Sequence, residues 1–208
     1  MQKADLIFLI IILSSAFFIR ILWLNLIPTN ISGDEVTNLS DVYKILFGKN
    51  TSFVSFMGDG SVAGINFYWA ALFVKIFGYS NTIFGLRLSI AILSTLSLIP
   101  FYFILKGRTS QIIALTFTLL LSANYVFLNF SRTAWVNMGI ILSGLFLILF
   151  IEKAIKENRK VWYILAGIFG GITLYGYHYG RVLVAGIILY LFLTFFKKSN
   201  RSFDYLKN

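Results

Sequence analysis

Long apolar runs separated by short polar stretches dominate the chain. A helix needs about 20 residues to cross roughly 30 Å of hydrocarbon, and a backbone in lipid must satisfy its own hydrogen bonds, which favours helices. The first and last runs exceed the strands of about 10 residues that build a membrane β-barrel. The pattern therefore predicts an all-α integral membrane protein. The seven candidate helices cover residues 6–27, 65–77, 83–105, 112–130, 135–151, 161–177 and 182–196.

Composition narrows the class of protein further. The 208 residues are 58% hydrophobic and 12% charged, which excludes an ordinary soluble domain. Cysteine is absent, so the chain offers no disulfide and no thiolate ligand. The formal net charge is +10, but the cations sit in short loops between apolar runs. That placement is typical of orientation signals and contacts to anionic lipid, so we expect membrane lipid as a partner and no nucleic acid.

The basic loops decide how many runs cross. If all seven crossed, the basic residues within 106–108 and 153–160 would face the side opposite the N-terminus, against the positive-inside rule. If the short run 65–77 lies along the membrane surface instead, these residues share the cytoplasmic side with the basic residues of 197–201. We therefore expect about six transmembrane helices, with both chain ends inside.

This topology makes residues 28–82 an outer loop with surface-lying amphipathic helices, within a single unit covering residues 1–208 and no separate soluble domain. The turns at 129–135 and 178–181 fall on the same outer side. Arg20 is costly to bury in lipid and is expected to point into the bundle or the headgroup region. Arg87, beside the run 65–77, is expected to meet lipid headgroups.

An acidic pair opens the outer loop. Asp34 and Glu35 begin a helical pattern, and Ser32 followed by Glu35 fits a capping box. The pair therefore has a structural explanation. A carboxylate at the membrane surface, directly after a first helix, is also well placed to take a proton from a hydroxyl. The residues alone leave both interpretations open.

Other polar residues share that side. Arg132 and Arg181 could bind phosphate through paired hydrogen bonds, although arginines near helix ends also reach to the interface without a ligand. His178 is the only histidine, and such a residue is more often a packed polar group than a ligand. Asp59 lies between two glycines and fits a turn that could approach a sugar. One histidine and scattered carboxylates make no metal motif, so a metal site is not predicted from the residues.

Several short motifs together point to a family. By their order and spacing, the chain resembles the N-terminal part of the polyprenyl-phosphate-sugar-dependent glycosyltransferases of the GT-C superfamily, which include protein O-mannosyltransferases and lipid A aminoarabinose transferases. The motifs are Asp34-Glu35 after a first helix, Phe67-Tyr68-Trp69, Ile76-Phe77-Gly78, Leu86-Arg87-Leu88-Ser89, Ser131-Arg132 and the stretch Tyr175-Gly176-Tyr177-His178-Tyr179-Gly180-Arg181.

The resemblance implies an inverting transfer of a sugar from a polyprenyl-phosphate donor to a hydroxyl acceptor, on protein or on lipid or glycan, at the outer face of the plasma membrane. It makes Asp34 the general base and Glu35 a supporting or metal-contacting carboxylate, and it leaves a divalent metal ion open as a cofactor. The anionic leaving group needs cationic donors. The residues expected to contact substrate or lipid phosphate are Arg132, Arg181, His178, Tyr177 and Asp59.

Two departures from the family pattern stand out. The chain has Gly64-Ile65-Asn66 where many relatives carry Lys-Pro-Pro or His-Pro-Pro-Leu, and family members are usually much longer. The resemblance therefore implies a partial or truncated transferase. The alternatives are a non-catalytic remnant or subunit of the same fold and, less favoured, a transporter. Transport predicts ionisable or helix-breaking residues in mid-membrane, whereas here only Pro100 and scattered glycines point that way and the charges gather at one face.

Overall fold

The structure is a computed structural model and describes residues 3–48, 56–57, 62–135 and 137–204. Within these residues nearly all backbone is helical, which confirms the predicted all-α class. Their strands are β1 (Phe56–Met57) and β2 (Val62–Ala63), which pair antiparallel, and a 3-10 turn covers Tyr79–Asn81. The helices are α1 Lys3–Ile21, α2 Gly33–Leu46, α3 Gly64–Phe77, α4 Thr82–Lys106, α5 Gln111–Ala123, α6 Tyr125–Arg132, α7 Met138–Glu157, α8 Lys160–Gly176 and α9 His178–Asp204.

Few of the described helices are long and apolar enough to count as membrane spans. Two segments of the described chain, Tyr79–Lys106 and Met138–Glu157, are long and apolar enough to cross a membrane. The pair α5 and α6 adds a third if its two helices, bent by 55°, count as one span. Helix α1 ends at Ile21, before the end of its apolar run, and α8 has only 17 residues. By length and composition the structure thus supports two or three spans, and the six expected crossings stay a prediction.

The helix ends gather at two opposite ends of the bundle. Arg87 and Lys106 lie 19 residues apart on α4, which is roughly 28 Å at 1.5 Å per residue. At one end Lys106 Nζ lies 3.9 Å from Asp5 Oδ2, and Lys156 Nζ donates to the carbonyl of Gly107 over 3.1 Å. We call this the Asp5 end. At the other, the Glu35 end, Arg87 meets the segment that follows α1 and the start of α2, and Glu35 meets the turn between α6 and α7.

The Glu35 end rests on an apolar core shared by α2, α3, α4 and the start of α7. Helix α3 runs antiparallel along α4: the Trp69 indole N–H donates to Ser89 O over 2.9 Å, and further along the pair Gly85 meets Phe73. A Cβ at Gly85 would lie only 3.0 Å from the Phe73 carbonyl oxygen, so the close approach favours glycine. The core residues are Val42, Phe67, Ala70, Ala71, Val74, Leu86, Ile90, Ala134 and Met138.

Arg20 points into the bundle, as expected. Its side chain is fully buried, and its guanidinium donates to Ser94 Oγ over 3.2 Å, to Ala16 O over 2.8 Å and to Ser122 O over 3.3 Å. The same group lies 5.2 Å from the centroid of the Phe127 ring. One arginine therefore joins α1 to α4, α5 and α6 just below the Glu35 end.

Candidate functional site

A capping box fixes the start of α2. The Ser32 hydroxyl accepts the Glu35 backbone N–H over 3.2 Å, and Glu35 Oε2 accepts the Ser32 backbone N–H over 3.0 Å. These reciprocal bonds satisfy two donors that a helix start leaves unpaired. The predicted capping role of Glu35 is confirmed. The same cap holds Asp34, which precedes Glu35 in the first turn, at a fixed place on the helix end.

Glu35 also forms a buried ion pair with Arg87. The guanidinium donates from Nε to Oε1 over 2.6 Å and from Nη2 to Oε2 over 3.1 Å, and both side chains are only 1% exposed. Arg87 Nη1 also donates to the carbonyls of Leu24 and Pro28, over 3.1 and 3.0 Å. Glu35 Oε1 accepts a further hydrogen bond from the Ala134 N–H over 3.2 Å. This pair joins α2, α4, the segment that follows α1 and the turn between α6 and α7. The expectation that Arg87 meets lipid headgroups is wrong, because its side chain is buried inside the bundle, where the Glu35 carboxylate compensates its charge.

The surroundings keep Glu35 ionised. Burial acts to raise its pKa, but the hydrogen bond from Arg87, the Ser32 N–H, the charge of Arg87 and the Ala134 N–H together hold the pKa below its usual range. Removing one partner of such a buried pair costs about 3–5 kcal/mol, because the other charge is left uncompensated. Both oxygens of Glu35 are thus occupied by protein donors.

Asp34 is in the opposite situation. It is exposed, and in the part of the chain that the structure describes it makes no hydrogen bond and no ion pair. It faces a cleft of about 140 Å³ between the start of α2 and the turn from α6 to α7. The cleft is lined by Ser32, Asp34, Asn129, Phe130, Thr133, Ala134 and Trp135. Two neighbouring carboxylates therefore differ completely: one is fixed and the other is available.

Arg132 contacts the end of α1. Its Nη2 donates to the carbonyls of Leu22 and Ile27 over 2.7 and 2.9 Å, and its Nη1 donates to those of Arg20, over 3.3 Å, and Ile19. Ile19 and Arg20 belong to the last turn of α1, where carbonyls lack partners within the helix and the negative end of the helix dipole favours a cation. The guanidinium of Arg132 is thus engaged by four backbone oxygens.

The turn between α8 and α9 carries the remaining predicted residues. Arg181 Nη1 lies 3.2 Å from His178 Nδ1, and the rings of Tyr177 and His178 have centroids 5.2 Å apart. Tyr177 packs against the core that also supports Trp135, so the turn belongs to the Glu35 end. The predicted contact residue Asp59 lies outside the described residues.

Sequence reasoning missed two kinds of site residue. Arg87 stands within the Leu-Arg-Leu-Ser motif, and the cost of burying a charge could have paired it with Glu35. Asn129, Thr133 and Trp135 line the cleft beside Asp34, but nothing in their spacing signals it. No group of three or more metal-ligating side chains that could hold an ion occurs among the residues the structure describes.

The apolar helices are those of a helical membrane protein, and the polar cluster at the Glu35 end of the bundle is its candidate site. A family model described as dolichyl-phosphate-mannose-protein mannosyltransferase matches residues 64–206, more than half of the chain. The chain belongs to this family, and it is therefore a membrane glycosyltransferase of the GT-C type. The match covers the helices from α3 onward, whereas α1 and α2, with Asp34 and Glu35, precede it. No curated protein and no solved structure matches the chain.

Proposed function

We propose that the protein transfers a sugar from a polyprenyl-phosphate donor to a hydroxyl acceptor, with Asp34 as the general base. The contrast between Asp34 and Glu35 carries the proposal. Glu35 is sealed by Arg87 and two backbone N–H groups, so it cannot accept another proton without losing them. Asp34 is exposed on a cleft and has no protein partner among the described residues. Family membership supports the reaction class.

In this mechanism Asp34 takes the proton of the acceptor hydroxyl while that oxygen attacks the anomeric carbon of the donor. The bond from that carbon to the lipid phosphate breaks in the same step, with inversion, and the phosphate leaves as an anion. A positioned base contributes typically about 10² to 10⁴-fold in rate. The capping box and the buried pair beneath it supply the positioning, because they fix the helix end that carries Asp34.

The leaving phosphate needs cations at the same end of the bundle. Arg132 would exchange backbone carbonyls of α1 for phosphate oxygens, which form stronger, charge-assisted hydrogen bonds. Arg181 with His178 and Tyr177 forms the second contact, and Asp59 is proposed to approach the sugar. Glu35 acts as a positioning residue for the helix end.

The proposed topology has six crossings, with the Glu35 end outside the plasma membrane. The two-ended arrangement supports it, since the described basic loop residues Lys106, Arg108 and Lys156 all lie at the Asp5 end. The chain has no cysteine, so single cysteines at the exposed Ser80 and Asn158 report on the two ends. In intact cells an impermeant thiol reagent should label the variant at position 80 and spare the one at 158. Labelling at 158 would contradict the topology.

The function itself is tested by transfer of mannose from dolichyl-phosphate mannose to acceptors in membranes containing the protein. Asp34→Asn keeps the shape of the side chain but removes its basicity, so transfer should fall by about 10² to 10⁴-fold. Glu157→Gln, a matched change at the Asp5 end, should leave transfer unaltered. Normal transfer by Asp34→Asn would remove Asp34 from the mechanism.

A further inference from the structure

The cleft beside Asp34 presents a particular set of side chains. Asp34 stands on α2, whereas Asn129 and Thr133 come from α6 and its end. The Asn129 side chain is exposed and makes no hydrogen bond within the described parts of the chain. The ring centroids of Phe130 and Trp135 lie 4.5 Å apart, and the two side chains form an aromatic wall. An unpaired carboxylate, an unpaired amide and aromatic rings thus border one small space.

The two walls of the cleft are tied together. Ala134 lies between Thr133 and Trp135, and its N–H donates to Glu35 while its carbonyl accepts from Asn38 Nδ2 over 2.8 Å. Glu35 and Asn38 both belong to α2, and both are buried. The spacing between Asp34 and the aromatic wall is therefore set before any ligand arrives, which is the property of a preorganised binding site.

The volume of the cleft and the groups that line it indicate what kind of ligand fits. A volume of about 140 Å³ is well below the roughly 300–1,000 Å³ of pockets for drug-sized molecules, so one ring fills it. Carboxylate and amide groups accept hydroxyl hydrogens and the amide also donates, while an aromatic face covers the C–H side of a ring. We propose that the cleft binds one monosaccharide ring, with Trp135 as its stacking surface and Asn129 and Asp34 as hydroxyl ligands.

The inference rests on the proposed function and deepens it. The ring could belong to the sugar of the lipid-linked donor or to a sugar on the acceptor, and the chemistry of the cleft serves both. In either case Asp34 contacts the reacting groups, and Asn129 and Trp135 determine which ring is accepted. They act on binding, so their loss should raise KM more than it lowers kcat.

The test uses saturation-transfer NMR on the full purified chain in detergent, with methyl α-D-mannopyranoside as the probe. Wild type should show transfer to the probe. Asn129→Ala should weaken binding at least about fivefold, the loss of one hydrogen bond of about 1 kcal/mol. Trp135→Ala should abolish the signal and Trp135→Phe should restore most of it. Trp162→Phe, at the Asp5 end, is the matched control and should bind as wild type does.

Added dolichyl-phosphate mannose distinguishes the two sources: displacement of the probe assigns the cleft to the donor sugar, and retention assigns it to an acceptor sugar. Absence of saturation transfer in wild type, or equal binding by wild type and Asn129→Ala, would overturn the proposal. Asn129 is exposed, so this variant should fold even if Trp135→Ala does not. If Asp34→Asn loses turnover but Asn129→Ala binds the probe normally, the sugar-binding role of the cleft is contradicted and the proposed function is not. Full turnover by Asp34→Asn would contradict the proposed function.

Discussion

The two ends of the bundle use charge in opposite ways. At the Glu35 end, Glu35 and Arg87 are both 1% exposed and bonded on every side. At the Asp5 end, the ion pair of Arg108 with Glu152 leaves the arginine side chain 60% exposed, and Lys106 is 3.9 Å from Asp5. Exposed pairs contribute about 0–1 kcal/mol, while breaking a buried pair costs about 3–5 kcal/mol. The Arg108–Glu152 pair leaves its arginine at the surface, whereas the Glu35–Arg87 pair is buried and supports the candidate site.

The largest expected effect breaks the buried pair. Arg87→Ala leaves the Glu35 carboxylate buried without its cation, so the free energy of unfolding should fall by about 3–5 kcal/mol. Arg108→Ala at the Asp5 end should cost less than about 1 kcal/mol. Thermal unfolding in detergent measures both. Similar losses in the two variants would remove the contrast between the ends.

The turn between α8 and α9, which also lies at the Glu35 end, is tightly packed, and two glycines of α9 allow this packing to be tested. A Cβ on Gly180 would lie 1.9 Å from the carbonyl oxygen of Thr173, whereas one on Gly186, in the same helix, would meet nothing within 4 Å. Gly180→Ala should therefore force the turn open and cost about 1–3 kcal/mol or more, while Gly186→Ala should be neutral or slightly stabilising. Unfolding temperatures of the two variants decide this, and equal values would show that the turn is not tightly packed.

A smaller effect is expected from pH. The pKa of Glu35 is lower in the folded protein than its ordinary value of 4.5, because the donors around it outweigh its burial. The stability that Glu35 contributes is therefore complete above the ordinary value and is lost as the pH falls through the lowered pKa. The unfolding temperature should decrease more steeply from pH 5 to pH 3 in wild type than in Glu35→Gln. Parallel curves for the two proteins would mean that other carboxylates set the acid limit.

Sequence predicts local structure at this site better than it predicts partners. The Ser32–Glu35 capping box and the buried orientation of Arg20 follow from short-range pattern and from the cost of charge in lipid, and both are confirmed. The pairing of Glu35 with Arg87 joins residues 52 positions apart, and periodicity carries no information about such contacts. The phosphate contact predicted for Arg132 stays a prediction, because backbone carbonyls that take up its donors leave no mark in a sequence.

The ends of the helices also show what hydropathy predicts and what it misses. The apolar run 112–130 reads as one span, but Asn124 caps a new helix by accepting the Phe127 N–H over 3.0 Å, and the chain bends there by 55°. A hydropathy average over the whole run hides a single polar residue such as Asn124. A local hydrogen bond decides the break, and the bend lets α6 deliver Asn129 and Arg132 to the Glu35 end.

The central claim is that Asp34 acts chemically and Glu35 acts structurally. The most direct measurement compares Asp34→Asn with Glu35→Gln, recording for each protein both mannose transfer from dolichyl-phosphate mannose and the unfolding temperature. Asp34→Asn should lose about 10² to 10⁴-fold in transfer rate at an unchanged unfolding temperature, and Glu35→Gln should lower the unfolding temperature clearly. The account would be contradicted by an Asp34→Asn protein that transfers mannose normally, or by one that loses stability as Glu35→Gln does.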